Sequence, residues 1–224
     1  MKRKPVLAKS KSRSAPDAPP GVYWITRKDQ LEGLANAVRL DIVDQLVAMG
    51  PMSIKDISAS LGRRPTAIYH HLELLESLEL VRKTVVPGKR GRPGSLYQAA
   101  GRLMRAARAP TKPENRAIVA KIAEVVAMQA AKDYKNGFTV DGWQLEGPAR
   151  NHWQFRSISR PSPQRLAKIN ALMDRLGELI WTPDPSPGKQ LISFAWFLSP
   201  LQADRRLRRP GKAKSRKRTK RISN

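Results

Sequence analysis

The chain has 224 residues, with 43 lysines and arginines against 18 acidic residues, a formal charge of +25 and a sequence pI of about 11.2. This charge favours polyanionic partners, nucleic acid first and an acidic membrane surface second. The absence of cysteine excludes disulfides and thiolate metal sites. No apolar run approaches the ~20 residues that span a bilayer, and no apolar segment follows the basic start at Met1–Lys4 as a secretory signal requires.

The two ends of the chain carry most of the net charge. Residues 1–20 contain six cationic residues and one acid, among Ser, Ala and Pro. That composition cannot bury enough apolar surface to fold, so we expect a disordered basic arm over 1–20. Residues 201–224 hold eleven cationic residues and one acid, and predict a disordered basic tail over 202–224. Between the ends we expect two folded blocks, 21–105 and 113–201.

The first block begins with an amphipathic pattern that predicts one helix. Apolar residues recur at three- and four-residue steps from Leu31 to Val47, and Gly50-Pro51 ends the pattern. Ser53 is a suitable N-cap for a second, short helix with Asp56 in its first turn and its end at Gly62. Pro65 suits the first position of a third helix, whose apolar stripe is Ile68, Leu72, Leu75 and Leu78.

The spacing of these helices and the residues that follow predict a specific motif. Two helices joined by a tight turn that contains glycine are typical of a helix-turn-helix. Leu80–Val86 reads as a strand, residues 87–95 as a basic Gly/Pro loop, and Leu96–Ala99 as the returning strand. A helix, a helix-turn-helix and then a hairpin is the order of a winged helix, which we expect over about 31–100.

The same stretch resembles the ArsR-type winged helix-turn-helix regulators of bacteria. The resemblance lies in Leu34–Val43, in Ile57–Gly62, in Ala67–Leu75 and in Leu78–Val81, which follow one another in the family's order. It implies a dimeric transcription factor whose third helix enters the major groove of DNA. The chain departs from the family at Arg64, where Ser or Thr often caps the third helix, and it lacks the Cys and His clusters of the metal-sensing members.

Two surfaces of the winged helix are candidates for DNA contact. The first is the polar face of the third helix, where Arg can bond guanine, Thr can meet a thymine methyl and Tyr can bond phosphate; its residues are Arg63, Arg64, Thr66, Ala67, Tyr69 and His70. An ordinary solvated face is the alternative. We expect His71 to pack towards the core instead.

The second candidate is the tip of the wing. Arg90–Pro93 contains the Arg-Gly-Arg-Pro sequence of AT-hooks, in which a thin backbone lets Arg side chains enter a narrow minor groove. The wing residues that we assign to DNA are Lys89, Arg90, Arg92, Pro93 and Ser95. A charged tip that merely prevents aggregation is the alternative. The tail would add phosphate contacts without reading sequence, through Arg205, Arg206, Arg208, Arg209, Lys217 and Arg218.

The second block predicts a small α+β domain. Glu114–Lys135 reads as a long helix whose many alanines suit a close helix–helix dimer contact, although it could equally pack on its own domain. We expect a strand over His152–Ser159, a helix that begins after Ser162 with Leu166, Ile169, Met173, Leu176 and Ile180 on one face, and a strand over Gln190–Leu198. The aromatic residues of this block could line a ligand pocket, or form a core or a dimer contact; no polar set identifies an effector.

These features predict a mostly α fold with α+β parts: an N-terminal winged helix-turn-helix and a C-terminal dimerisation domain. We expect a sequence-specific regulator that binds double-stranded DNA as a homodimer through the 114–135 helix and the C-terminal domain, in the cytoplasm of a bacterium and on its nucleoid. The alternatives are an architectural DNA-binding protein with little sequence specificity and an RNA or protein interaction module. The sequence lacks catalytic and metal-binding motifs, so we expect neither an enzyme, a cofactor, a metal nor a membrane partner.

Overall fold

The computed structural model describes residues 21–87, 93–106, 108–184, 186, 188 and 190–201. The chain divides into one unit of residues 1–193 and another of residues 194–224. All helices and strands in the described residues fall in the first unit. In the second, residues 194–201 form neither helix nor strand, and Phe194, Phe197 and Leu198 are more than half exposed.

The winged helix contains four helices, not the three that the sequence predicts. Helices α1 (Lys28–Leu34) and α2 (Ala37–Met49) replace the single first helix, so that prediction was wrong. Asn36 causes the break, because its side-chain oxygen accepts hydrogen bonds from the N–H groups of Val38 at 3.1 Å and Arg39 at 3.2 Å and so begins a new helix. Gly50, at φ +80°, ends α2 as predicted.

Three short strands form the wing sheet, in the order β2-β4-β3. They are β2 (Met52–Ser53), β3 (Val81–Val86) and β4 (Gly94–Ala99), and β4 pairs antiparallel with both neighbours. The hairpin predicted from Leu80 to Ala99 is confirmed, with Val81 opposite Ala99 and Val86 opposite Gly94.

A second sheet was not foreseen. Strand β1 (Val22–Trp24) pairs parallel with β5 (Leu103–Arg105), so the two ends of the winged helix are joined. The pairing extends by a hydrogen bond from the Ile25 N–H to the Arg105 carbonyl at 2.8 Å.

The core of the winged helix is apolar and includes residues from every helix of the motif. Its fully buried side chains are those of Leu31, Ile42, Leu46, Ile57, Ile68, Leu72, Leu75, Leu80 and Val81. Two buried polar side chains donate hydrogen bonds to backbone carbonyls. The Gln30 amide donates to the Leu78 carbonyl at 2.9 Å and the Asn115 amide to the Ala109 carbonyl at 3.2 Å. Each bond therefore gives the N–H of a buried amide a hydrogen-bond partner.

The second block supplies two helices, both close to the predicted bounds. Helix α5 (Arg116–Gly137) packs its first half on the winged-helix core through Ile118, Val119 and Ile122. Helix α6 (Pro163–Trp181) begins at Ser162, whose hydroxyl accepts a hydrogen bond from the Arg165 N–H at 3.2 Å.

The two strands predicted in this block were wrong, although the overall fold class is confirmed. Neither His152–Ser159 nor Gln190–Leu198 forms a strand in the described residues. The reason is physical: a strand exists only where a neighbour completes its ladder, and no described segment of the protomer pairs with either stretch. The predicted domain boundaries at 21–105 and 113–201 remain a prediction.

Some aromatic residues of the second block gather around His152. Its ring stacks on Tyr134, with centroids 4.3 Å apart, and meets the edge of Phe138 at 4.2 Å. Gly137 allows this approach, because a Cβ there would lie 2.8 Å from the imidazole. The cluster holds the loop after α5 against the end of that helix.

Candidate nucleic-acid interface

The turn between α3 (Ile54–Ser60) and α4 (Pro65–Ser77) fixes the helix-turn-helix. At the end of α3 the Arg63 N–H bonds the Ser58 carbonyl at 2.9 Å and the Gly62 N–H bonds the Ala59 carbonyl at 3.2 Å. This pair of bonds is the Schellman arrangement, which needs a residue in the left-handed region, here Gly62 at φ +61°. The turn predicted from the sequence is confirmed.

The start of α3 is closed by a reciprocal cap. The Ser53 hydroxyl accepts from the Asp56 N–H at 3.2 Å, and the Asp56 carboxylate accepts from the Ser53 N–H at 3.3 Å. The predicted N-cap is confirmed, and Asp56 also bonds back to complete a capping box.

Helix α4 buries one face and exposes the other. Ile68, Leu72 and Leu75 are fully buried and fix the helix on the core. The predicted contact residues are all exposed, and they lie together at the N-terminal end of α4 and in the turn before it: Arg63, Arg64, Thr66, Ala67, Tyr69 and His70. Pro65 occupies the first helical turn, and Arg64 makes no side-chain cap, as expected.

The exposed end of α4 is electropositive. No acidic residue lies in the first turn, two arginines precede it, and the backbone N–H groups of a helix N-terminus attract anions. Glu73 and Glu76 are exposed further along the same helix. The polarity of α4 therefore favours a phosphate or a base acceptor at its N-terminal end.

His71 lies at the edge of the buried face. It is half-buried, and burial lowers its pKa, aided by the positive charges of Arg39, His70 and Arg63. The sequence-based placement of His71 towards the core is therefore confirmed.

The wing presents part of its predicted contact set. Pro93 is exposed, and Ser95 is half-buried opposite Val85. Lys89, Arg90 and Arg92 lie outside the described residues.

Lys83 is an exposed candidate on β3 that the sequence reasoning passed over. It lies opposite Tyr97, and its Nζ is 5.9 Å from the centroid of that ring. Tyr97 is close enough to Tyr69, Glu73 and Glu76 of α4 for their charges to affect its pKa, which burial raises. Lys83 thus belongs to the part of the wing that is near α4. The sequence did contain a signal for this position. Lys83 follows the buried Val81 by two residues, so both side chains lie on the same side of the strand.

The remaining predicted contacts and exclusions concern other parts of the chain. The tail residues Arg205, Arg206, Arg208, Arg209, Lys217 and Arg218 lie outside the described residues. Within the part that is described, no three His, Asp or Glu side chains are grouped as a metal site would need. No helix there is long and apolar enough to cross a membrane.

Comparison with known proteins identifies the motif. A family model described as a helix-turn-helix domain matches residues 34–84, from the end of α1 into β3. No curated protein matches the chain. The crystal structure of RV1404 from Mycobacterium tuberculosis is similar at 16% identity and a TM-score of 0.27, over 70% of this chain and 86% of that one, which is too low to support an argument. Residues 34–84 are therefore a helix-turn-helix domain, of the kind found in DNA-binding regulators.

Proposed function

We propose that this protein is a sequence-specific transcriptional regulator that binds double-stranded DNA as a homodimer. The observation that carries the proposal is the exposed polar end of α4, which the Schellman turn and three buried side chains hold in place beside the wing. A helix of this kind, presented by a helix-turn-helix, is the element that reads the major groove.

In this proposal, different residues in and before the first turns of α4 contact different groups of the DNA. Arg63 and Arg64 donate to guanine acceptors, Thr66 and Ala67 contact thymine methyls, and Tyr69 and His70 bond phosphates or base edges.

The wing contacts the neighbouring minor groove. Arg90 and Arg92 enter the groove, and Lys89, Pro93 and Ser95 follow its edge. Narrow A·T-rich grooves hold the strongest negative potential, so the wing prefers them. Lys83 adds a phosphate contact between the wing and α4.

The homodimer is supported by surface that the protomer leaves uncovered. Helix α5 packs on its own core at one end but exposes four alanines, Ala117, Ala120, Ala127 and Ala131. Small side chains allow a partner helix to approach closely. A dimer would also present two recognition helices, as two half-sites require.

Selection of bound duplexes at physiological salt tests the proposal. The full chain should enrich a defined motif, and Arg63→Ala should weaken binding to it by about 1–3 kcal/mol while changing the preferred base at one position. Lys112→Ala is the control, because Lys112 is exposed in the bend before α5 and its loss removes the same charge. Equal effects of the two variants, or a preference for RNA over duplex DNA, would contradict the proposal.

An architectural DNA-binding protein is the second candidate. The observation in its favour is the basic composition of the two ends, which hold 15 of the 25 net charges. Uniform enrichment of all sequences in the same selection would favour it.

A further inference from the structure

Residues 153–159 have the sequence of a strand but lack a partner in the protomer. None of their backbone N–H or C=O groups makes a backbone hydrogen bond within the described residues. The side chains are exposed throughout the segment, including Trp153 at 56% and Phe155 at 76%. An uncovered apolar strand with a free edge is a site that pairs with another chain.

Helix α6, which follows this segment, also has an uncovered apolar stripe. Leu172, Leu176 and Leu179 recur at four- and three-residue steps and are exposed by 68%, 43% and 73%. The end of α6 nevertheless contacts the winged helix, because Trp181 stacks on the Arg105 guanidinium with 3.5 Å between Cζ and the ring centroid. The stripe therefore lies on a helix that meets the winged helix at its C-terminal end.

The segment and the stripe together expose a large apolar area. Each of their six large apolar side chains is more than 40% exposed: Trp153, Phe155, Ile158, Leu172, Leu176 and Leu179. At roughly 150–200 Å² for a fully exposed side chain, they expose about 650 Å². A standard interface buries about 800 Å² per partner, of which roughly 55–65% is apolar, so this area is of the size that a dimer contact needs.

The sequence of the segment favours a second copy as the occupant. Under two-fold symmetry a strand pairs antiparallel with itself, and the N–H and C=O groups of every second residue bond those of the other copy. With Phe155 in a hydrogen-bonded pair, the bonded residues are Trp153, Phe155 and Ser157. A pairing centred on Phe155 places the two Phe155 rings together and Gln154 opposite Arg156 of the second copy. A pairing centred on Arg156 would oppose two arginines, which is unfavourable.

We infer that residues 153–157 form an intermolecular antiparallel ladder with the same residues of a second copy, centred on Phe155, and that the leucine stripe of α6 is covered in the same dimer. This inference specifies the homodimer of the proposed function and rests on that part of it. It also accounts for a strand-like sequence that forms no strand in the protomer.

Cysteine cross-linking of the full chain tests the register, since the protein has no native cysteine. A mixture of Gln154→Cys and Arg156→Cys proteins should form the mixed disulfide more than either self-disulfide, because directly opposed residues of an antiparallel pair have Cα atoms about 4.5–5.5 Å apart. Ser159→Cys should give little disulfide, because its two copies would lie about 27 Å apart at about 3.4 Å per residue. Ser77→Cys, on α4, is the control for random collision.

A backbone variant supplies an independent measurement. Ser157→Pro removes a donor that no backbone acceptor of the protomer uses, so far-UV circular dichroism should stay unchanged while sedimentation equilibrium shows at least a tenfold weaker dimer. A chain that is monomeric at all concentrations, or equal disulfide yields at residues 77, 154, 156 and 159, would overturn the inference. DNA binding measured on the same samples separates this inference from the proposed function. If the protein binds DNA as a dimer without this ladder, the proposed function stands and the inference is wrong. If the ladder forms but the protein does not bind DNA, the dimer stands and the proposed function is wrong.

Discussion

Three carboxylates, two on α2 and one on α5, lie close enough to affect one another. Desolvation by the surrounding protein raises the pKa of Asp44 to about 6, although the residue keeps an exposed surface, and the negative charges of Asp41 and Asp133 add to the effect. Gln129 donates to Asp41 and Ser193 donates to Asp133 at 2.8 Å, but no hydrogen bond to Asp44 is formed among the described residues. Ionised Asp44 therefore opposes the packing of α5 on the winged helix.

Asp44→Asn should stabilise the protein at neutral pH. A carboxyl whose folded pKa is raised contributes stability that is present below the unfolded pKa, 3.8, and lost as the pH rises through about 6. The melting temperature of the variant should exceed that of the parent at pH 7–8, and the gain should disappear between about pH 6 and 4. Thermal melts across this range measure it, with Asp141→Asn, an exposed loop carboxylate, as the control. A gain that is the same at pH 4.5 and pH 8 would show that charge is not the cause.

Single residues also show what the sequence could not reveal. The roles of Pro65 and Ser53 could be predicted from the sequence. Proline is common at the first position of a helix, and serine is common as an N-cap. Asn36 lies inside an unbroken apolar pattern, and only the packing of α1 against its neighbours makes it a cap instead of a helix interior residue. Glu79 adopts φ +60°, where glycine is usual, and its carboxylate bonds Arg27 at 3.0 Å. No sequence pattern predicts that position.

At the scale of elements, α3 is the shorter of the two helices of the helix-turn-helix. It has only seven residues and buries chiefly Ile57 and Ser58. An isolated helix of this length does not form, so α3 depends on its capping box and on α4.

Ser53→Ala should destabilise the protein by about 1 kcal/mol, within the range of about 0.5–2 kcal/mol for loss of an N-cap. The free energy of unfolding from urea titration measures the change. The matched control is Ser77→Ala, because the Ser77 hydroxyl bonds only the Leu74 carbonyl of its own helix. If the two variants had equal stability, the capping box would contribute nothing to the motif.

The elements that the sequence predicted share one property, which is that their signal is local. Helices α3, α4, α5 and α6 and the β3–β4 hairpin each repeat an apolar period or carry a cap within one short stretch. The β1–β5 pair joins segments about 80 residues apart and has no such signal. Residues 153–159 show the reverse case: the local pattern is that of a strand, but the protomer supplies no ladder partner. A local pattern therefore predicts what a segment can form, and only the assembly decides whether it does.

At the scale of the whole molecule, the net charge is divided between residues 21–200 and the two basic ends of the sequence. The exposed end of α4 carries few charges in a fixed geometry, which suits base recognition. The eleven cations among residues 201–224 fall within a short stretch that contains one acid, which suits contact with any phosphate. Affinity and specificity should therefore depend on different parts of the chain.

Replacing the eleven cations between Arg205 and Arg221 by glutamine separates these two contributions. The slope of log affinity against log salt should become shallower by about 0.9 for each phosphate contact that is lost. The ratio of affinities for the selected site and a scrambled duplex should stay within about twofold, because contacts to phosphate alone do not distinguish bases. Binding titrations at several salt concentrations measure both quantities, and the parent chain on the scrambled duplex provides the reference slope. If the ratio fell to one when the tail was neutralised, the helix-turn-helix would not be the source of specificity, and the architectural candidate would replace the regulator.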